Sequence, residues 1–160
     1  MKIRKAKISD LKQVHSLIND FAKREQMIPR SLNELYETLR DFVVCEANGT
    51  VCGVCALHIM WDDLAEIRSL AVDKSFQKKG IGKRLVRQCL KEATALGIKR
   101  IFALTYQPEF FKKLGFADTE KSSLPQKIWG DCLRCHKFPD CDENAVIINL
   151  DVALDRRTMR

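Results

Sequence analysis

Gln77-Lys78-Lys79-Gly80-Ile81-Gly82 is the stretch with the most chemistry in this sequence. The two glycines let backbone amides approach a ligand without a Cβ in the way. The helix expected to start at Ile81 leaves its first N–H groups unpaired, at the positive end of its dipole. Lys78, Lys79, Lys83 and Arg84 add positive charge. An apolar strand, a glycine loop, a helix N-terminus and lysines together describe a cradle for a pyrophosphate. The pattern G-x-x-x-x-G-K-[ST] is absent, and the glycine spacing is not G-x-G-x-x-G. Nucleotide-triphosphatase and dinucleotide-binding loops are therefore excluded.

A second patterned stretch is Pro108-Glu109-Phe110-Phe111-Lys112-Lys113-Leu114-Gly115-Phe116. It reads as a short aromatic helix closed by glycine. Taken with Q-x-x-G-x-G behind Leu70-Ala71-Val72-Asp73, it resembles the signatures of the GNAT N-acetyltransferases. The segments Met27–Ser31, Glu66–Val72, Leu104–Phe111 and Lys127–Cys132 are similar to the short, single-domain bacterial N-acetylglutamate synthases. That resemblance implies acetyl-CoA as co-substrate and the α-amine of L-glutamate as acceptor. It places the reaction at the first step of arginine biosynthesis.

The resemblance also implies roles for residues. The coenzyme would lie against Leu70, Ala71 and Val72, the loop Gln77, Lys78, Lys79, Gly80, Ile81, Gly82 and Lys83, and Phe110 and Phe111. The Leu70 N–H is the candidate donor to the thioester oxygen. An amine must lose its proton before it can attack, and Glu66 is the candidate base. Pairing with Arg68, two residues along the same strand face, is the equal alternative for Glu66. Tyr106, at the end of the parallel strand, is a second candidate. His58 reads as a packed or solvated residue. Glutamate brings two carboxylates, which suit arginine forks. Arg30 and Arg68 are nominated, with Ser31 as a hydrogen-bond donor. A solvated loop residue is the alternative for Arg30. Many family members carry tyrosine where this chain has Phe111, so proton return to the departing thiolate cannot be assigned there. A thiol pKa of about 8.5 makes that thiolate a tolerable leaving group.

The elements that must position these groups follow from periodicity and turn chemistry. Lys2–Lys7 alternates apolar and basic residues as a strand would. Ser9 is the expected cap of a helix carrying Leu11, Val14, Leu17, Ile18 and Phe21. Ser31, with Glu34 three residues on, caps the next helix. Strands are expected over 42–47, 51–59 and 64–72, with Asn48-Gly49 as a hairpin turn. A helix then buries Ile81, Leu85, Val86, Cys89, Leu90, Ala93 and Leu96, and Gly97 ends it. A strand over 100–105, parallel to 64–72, precedes the aromatic helix, a strand from Phe116 and a last strand over 145–150. The expected fold is α/β (α+β): a central mixed, mostly antiparallel sheet with one splayed parallel pair, flanked by helices. It would form a single GNAT-type domain over 1–160, with a cysteine loop at 130–143 and a polar tail at 151–160.

The chain has 160 residues, 46% hydrophobic and 31% charged, with a formal charge of +7. The length suits one domain. The charge fits a small anionic ligand, because no aromatics are interleaved with the basic residues as strand-binding nucleic-acid proteins require. No run is long enough for a membrane span. The start has no apolar segment like a signal peptide, so the expectation is a cytoplasmic protein. Seven cysteines in such a chain suggest reduced thiols or a metal. Cys132, Cys135 and Cys141 could hold a structural zinc, with free thiols or an adventitious disulfide as the alternative. The sequence leaves a homodimer open. It also leaves open a GNAT enzyme for another small amine or a protein N-terminus, or a non-catalytic coenzyme- or nucleic-acid-binding module.

Overall fold

The computed structural model describes residues 1–124 and 143–150. The strands are β1 (Lys2–Lys5), β2 (Phe42–Ala47), β3 (Thr50–Ile59), β4 (Leu64–Val72), β5 (Arg100–Thr105), β6 (Ala117–Thr119) and β7 (Asn144–Asn149). The helices are α1 (Leu11–Lys23), α2 (Leu32–Glu37), α3 (Ile81–Leu96) and α4 (Pro108–Lys112). Hydrogen bonds link the strands in the order β1-β2-β3-β4-β5-β7-β6. The pairs β1–β2, β2–β3, β5–β7 and β6–β7 are antiparallel, and β4–β5 is parallel. The chain packs as two compact units. One comprises Met1–His58 and Ile67–Glu92, and the other Ile59–Glu66 and Ala93–Arg160.

In the first unit, Asn48 (φ 52°) and Gly49 (φ 78°) turn the β2–β3 hairpin. Two positive φ angles in succession give a turn whose twist matches that of the strands. The core on one side of these strands combines Leu11, Val14 and Ile18 of α1 with Leu35 of α2 and Phe42, Val44, Val54, Ala56 and Ala71. Ser31 caps α2 as expected, its hydroxyl accepting the Glu34 N–H at 3.1 Å. Ser9 does not cap α1. It lies inside a 3-10 turn, Ile8–Asp10, that precedes the helix. Asp10 stands at the N-cap of α1 without a side-chain bond to the helix; its carboxylate closes the 3-10 turn instead, accepting the Lys7 N–H at 2.7 Å and two bonds from the Arg4 guanidinium at 2.7 and 3.0 Å. The first strand accordingly stops at Lys5 instead of Lys7. Cys45, Cys52, Cys55 and Cys89 are buried and free.

In the second unit, Leu64, Phe102, Leu124 and Ala145 form the core, with Met60, Leu104 and Ile147 packed against it. Gly97 (φ 85°) ends α3, with the Gly97 N–H bonded to Thr94 O and the Ile98 N–H to Ala93 O. That double closure turns the chain so that Ile98 is buried. Leu96, expected on the buried stripe, is instead 56% exposed, because it is the last helical residue and Ile98 fills the core. Gly115 (φ 101°) ends the α4 segment, and Lys112 ties α4 to β6 through Asp118 at 2.8 Å.

Candidate functional site

The cradle starts at the end of β4. Asp73 closes the strand with its N–H on Cys52 O at 2.9 Å, which hangs the loop from β3. Its carboxylate accepts the Ser75 N–H at 3.0 Å and the Ser75 hydroxyl at 2.6 Å. Those bonds hold the Asp73 carboxyl below its ordinary range. The Gln77 side chain folds back and donates to Val72 O at 2.9 Å. The glutamine of the motif thus closes the loop on the strand it came from.

Lys78 (φ 64°) and Gly80 (φ 80°) both adopt the left-handed conformation. Alternating backbone hands turn successive N–H groups toward one side, the geometry of an anion nest. Gly80 O accepts the Arg84 N–H at 3.1 Å, the first helical bond of α3. The amides of Ile81, Gly82 and Lys83 therefore precede the helical ladder. Lys78, Lys79, Lys83 and Arg84 are exposed around this turn, and the Lys79 ammonium stands 5.2 Å from the centre of the Phe76 ring. The donor set fits a diphosphate.

The strand leading here has its own irregularity. The β4–β5 ladder runs through Leu64–Arg100, Ala65–Ile101 and Glu66–Phe102 and ends there. Ile67–Val72 continues β4 past that ladder, with Ser69 at φ 56°. A non-glycine residue in that region marks a local break in the pleat. Glu66 and Arg68 are half-buried on either side of buried Ile67, as alternation requires. Leu70 and Val72 are half-buried and Ala71 is buried in the α1–α2 core.

Arg30 is buried, at 8% exposure. Its guanidinium lies 3.8 Å from the Glu34 carboxylate, one turn into α2. The Asn19 side chain of α1 holds its backbone on both sides: Nδ2 donates to Arg30 O at 3.0 Å and Oδ1 accepts the Arg30 N–H at 3.3 Å. The same Nδ2 also donates to His15 O at 2.8 Å. The first unit thus carries Arg30, Ser31, Arg68, Leu70–Val72 and the loop 77–83.

Glu66, Tyr106, Phe110 and Phe111 belong to the second unit. Tyr106 is half-buried just after β5. Phe111 is buried edge-on between Phe110 and Phe116, with both ring centroids 5.1 Å away, while Phe110 is half-buried. Phe111 is therefore a packing anchor of α4. His58 carries a contact not foreseen in the sequence: its Nδ1 lies 2.6 Å from the Asp41 carboxylate. Asp41 sits just before β2, and no local pattern connects it with His58. Among the described residues no group of three His, Cys, Asp or Glu could hold a metal. Cys132, Cys135 and Cys141 lie outside the described residues, as do the expected tail at 151–160 and all of the expected cysteine loop at 130–143 but Glu143. No helix among the described residues is long and apolar enough to cross a membrane.

The sequence model of the acetyltransferase (GNAT) family matches residues 11–116. The chain belongs to that family and is an acetyl-CoA-dependent N-acetyltransferase. It is 38% identical to an uncharacterized N-acetyltransferase of Chlorobaculum tepidum, over 92% of this chain and 96% of that one. It is 34% identical to the amino-acid acetyltransferase of Mycobacterium tuberculosis, over 84% of this chain and 78% of that one. Its fold superposes with a TM-score of 0.84 on N-acetylglutamate synthase from Neisseria gonorrhoeae complexed with coenzyme A and N-acetyl-glutamate, at 27% identity. That match covers 93% of this chain and 35% of the Neisseria protein.

Proposed function

We propose that this chain is an N-acetylglutamate synthase, transferring acetyl from acetyl-CoA to the α-amine of L-glutamate. The observation that carries the reading is the left-handed pair Lys78 and Gly80 ahead of the open amides of α3. The likenesses to an amino-acid acetyltransferase and to an N-acetylglutamate synthase support the acceptor.

On this reading the amides from Lys78 to Gly82 bind the diphosphate, and Leu70–Val72, beyond the end of the β4–β5 ladder at Glu66, pairs with the pantetheine amides as an added strand would. Glu66 removes a proton from the glutamate ammonium, directly or through a water. The amine nitrogen bonds to the thioester carbon while the carbonyl oxygen takes negative charge against the Leu70 N–H. The C=O bond then re-forms as the C–S bond breaks, the electron pair leaves on sulfur as thiolate, and the nitrogen passes its second proton to that thiolate through water. Arg30 and Arg68 bind the two carboxylates, with Ser31 alongside. Acetyl-CoA and glutamate supply would put the enzyme in the cytoplasm, at the entry to arginine synthesis.

The test is release of CoA thiol from acetyl-CoA across glutamate, aspartate, glutamine and lysine. The reading requires glutamate to give the highest kcat/KM. A higher value for any other amine moves the enzyme to that acceptor.

A further inference from the structure

Gly53 lies in the interior of β3, paired with Cys45 of β2. Glycine within a strand is destabilising relative to alanine. Its φ is not in the left-handed region, so backbone conformation does not require it. Space does. A Cβ at Gly53 would stand 3.1 Å from Ile81 Cγ2, 3.1 Å from Leu85 Cδ1 and 3.6 Å from Ala71 O. Ordinary carbon contacts begin at about 3.5 Å, so the first two neighbours must yield by a few tenths of an ångström.

They cannot yield equally. Leu85 Cδ1 is the tip of a flexible side chain. Ile81 Cγ2 is bonded directly to Cβ, and a β-branched residue in a helix has essentially one χ1 rotamer. Moving Cγ2 therefore moves the backbone of Ile81, the first residue of α3. That backbone belongs to the cradle. The third neighbour, Ala71 O, lies on β4 immediately before the loop.

We infer that Gly53 is a positioning residue for coenzyme binding: its missing side chain sets how closely the first turn of α3 sits on β3, and so where the amides of Ile81 and Gly82 point. The inference rests on the reading of the loop as the diphosphate site. Misplacement of a binding group by about 1 Å can cost up to about a hundredfold. A few tenths of an ångström, shared over two or three amides, predicts about a tenfold loss.

The experiment is a double-mutant cycle of Gly53→Ala and Ile81→Leu, read by the KM for acetyl-CoA, the KM for the acceptor, calorimetric CoA affinity and the melting temperature. Leucine keeps the volume of isoleucine but removes the methyl on Cβ. Gly53→Ala should raise the acetyl-CoA KM and weaken CoA binding about tenfold, with the acceptor KM unmoved. In the Ile81→Leu background the same Gly53→Ala change should cost less than about twofold. Should the single variant not fold, that second comparison still decides. A KM penalty equal in both backgrounds, or a lowered melting temperature with unchanged CoA affinity, overturns the inference while leaving the loop reading intact. No CoA binding by the wild-type protein overturns both.

Discussion

The side chain of Asn19 binds the backbone of Arg30 as a paired strand would, donating to its carbonyl at 3.0 Å and accepting its N–H at 3.3 Å. One residue of α1 thereby fixes the Cα of a buried arginine at the entrance to α2. Asparagine alone among side chains of its size presents a donor and an acceptor side by side. Asn19→Ala leaves two backbone groups of a buried residue without this partner, a cost of about 1–3 kcal/mol. If Arg30 binds an acceptor carboxylate, the acceptor KM should rise about tenfold in Asn19→Ala, and further in Arg30→Ala, with the acetyl-CoA KM unchanged. Equal increases in both KM values would remove Arg30 from acceptor recognition.

The Arg4–Asp10 pair is the corresponding device at the N-terminus. Asp10 is 5% exposed and accepts from Arg4 twice and from the Lys7 N–H. The Arg4 guanidinium beside it holds its carboxyl below the usual range. A depressed folded-state pKa means that the unfolded chain binds the proton first. The stabilisation is therefore complete above the unfolded pKa of about 3.9 and is lost as pH falls through the lower folded value. Arg4→Met should destabilise by about 1.5–3 kcal/mol at neutral pH. It should also flatten the acid limb of stability against pH, followed by urea unfolding. An unchanged acid limb would show that Asp10 is not the group responsible.

Four thiols of the first unit should be inert. Burial, and then the neighbouring Cys45, push the Cys52 thiol up to about 11. Cys55 is raised by its hydrogen bond with Cys89 and by burial. The thiolate is the reactive form, so at pH 8 its fraction at Cys52 is about a hundredfold or more below that of a free cysteine. Iodoacetamide treatment followed by peptide mass mapping should leave Cys45, Cys52, Cys55 and Cys89 unmodified until denaturant is added. Rapid native labelling of Cys52 would contradict this.

Gly80 offers the sharpest backbone test of the cradle. A Cβ there meets nothing within 4 Å, so the space is open, but φ is +80°. A left-handed L-residue costs about 1–2 kcal/mol. Gly80→Ala should either store that strain or flip the peptide, and in both cases weaken CoA binding with little effect on the acceptor KM. Gly80→Ala with wild-type CoA affinity would mean that the nest is not the binding element.

Much of this was legible because it is local. Asn48-Gly49, the Gly97 closure and the Ser31 cap each need only a few neighbouring residues, and the loop motif announces itself by spacing. What escaped depends on contacts distant in sequence. Ser9 fell inside a 3-10 turn because the Asp10 carboxylate folds back onto Lys7 and Arg4. The Asn19 clamp spans eleven residues, and Gly53 reads as an ordinary strand glycine until α3 is laid over it. Leu96 carried the right period for a core position, but the helix ended before that period could be used. The role of Gln77 as the strap on Val72 was also hidden; the one signal for it was a motif glutamine close behind a strand end. Lys78 in a left-handed conformation has no sequence signal at all, since lysine rarely adopts it.

Calorimetric titration of CoA into the full chain tests the central claim most directly. The account predicts saturable heat at one site per chain, an affinity that falls with rising salt because diphosphate meets lysines, and a clear loss of affinity in Gly80→Ala. Absence of heat with both CoA and acetyl-CoA would contradict it, as would binding that neither salt nor Gly80→Ala alters.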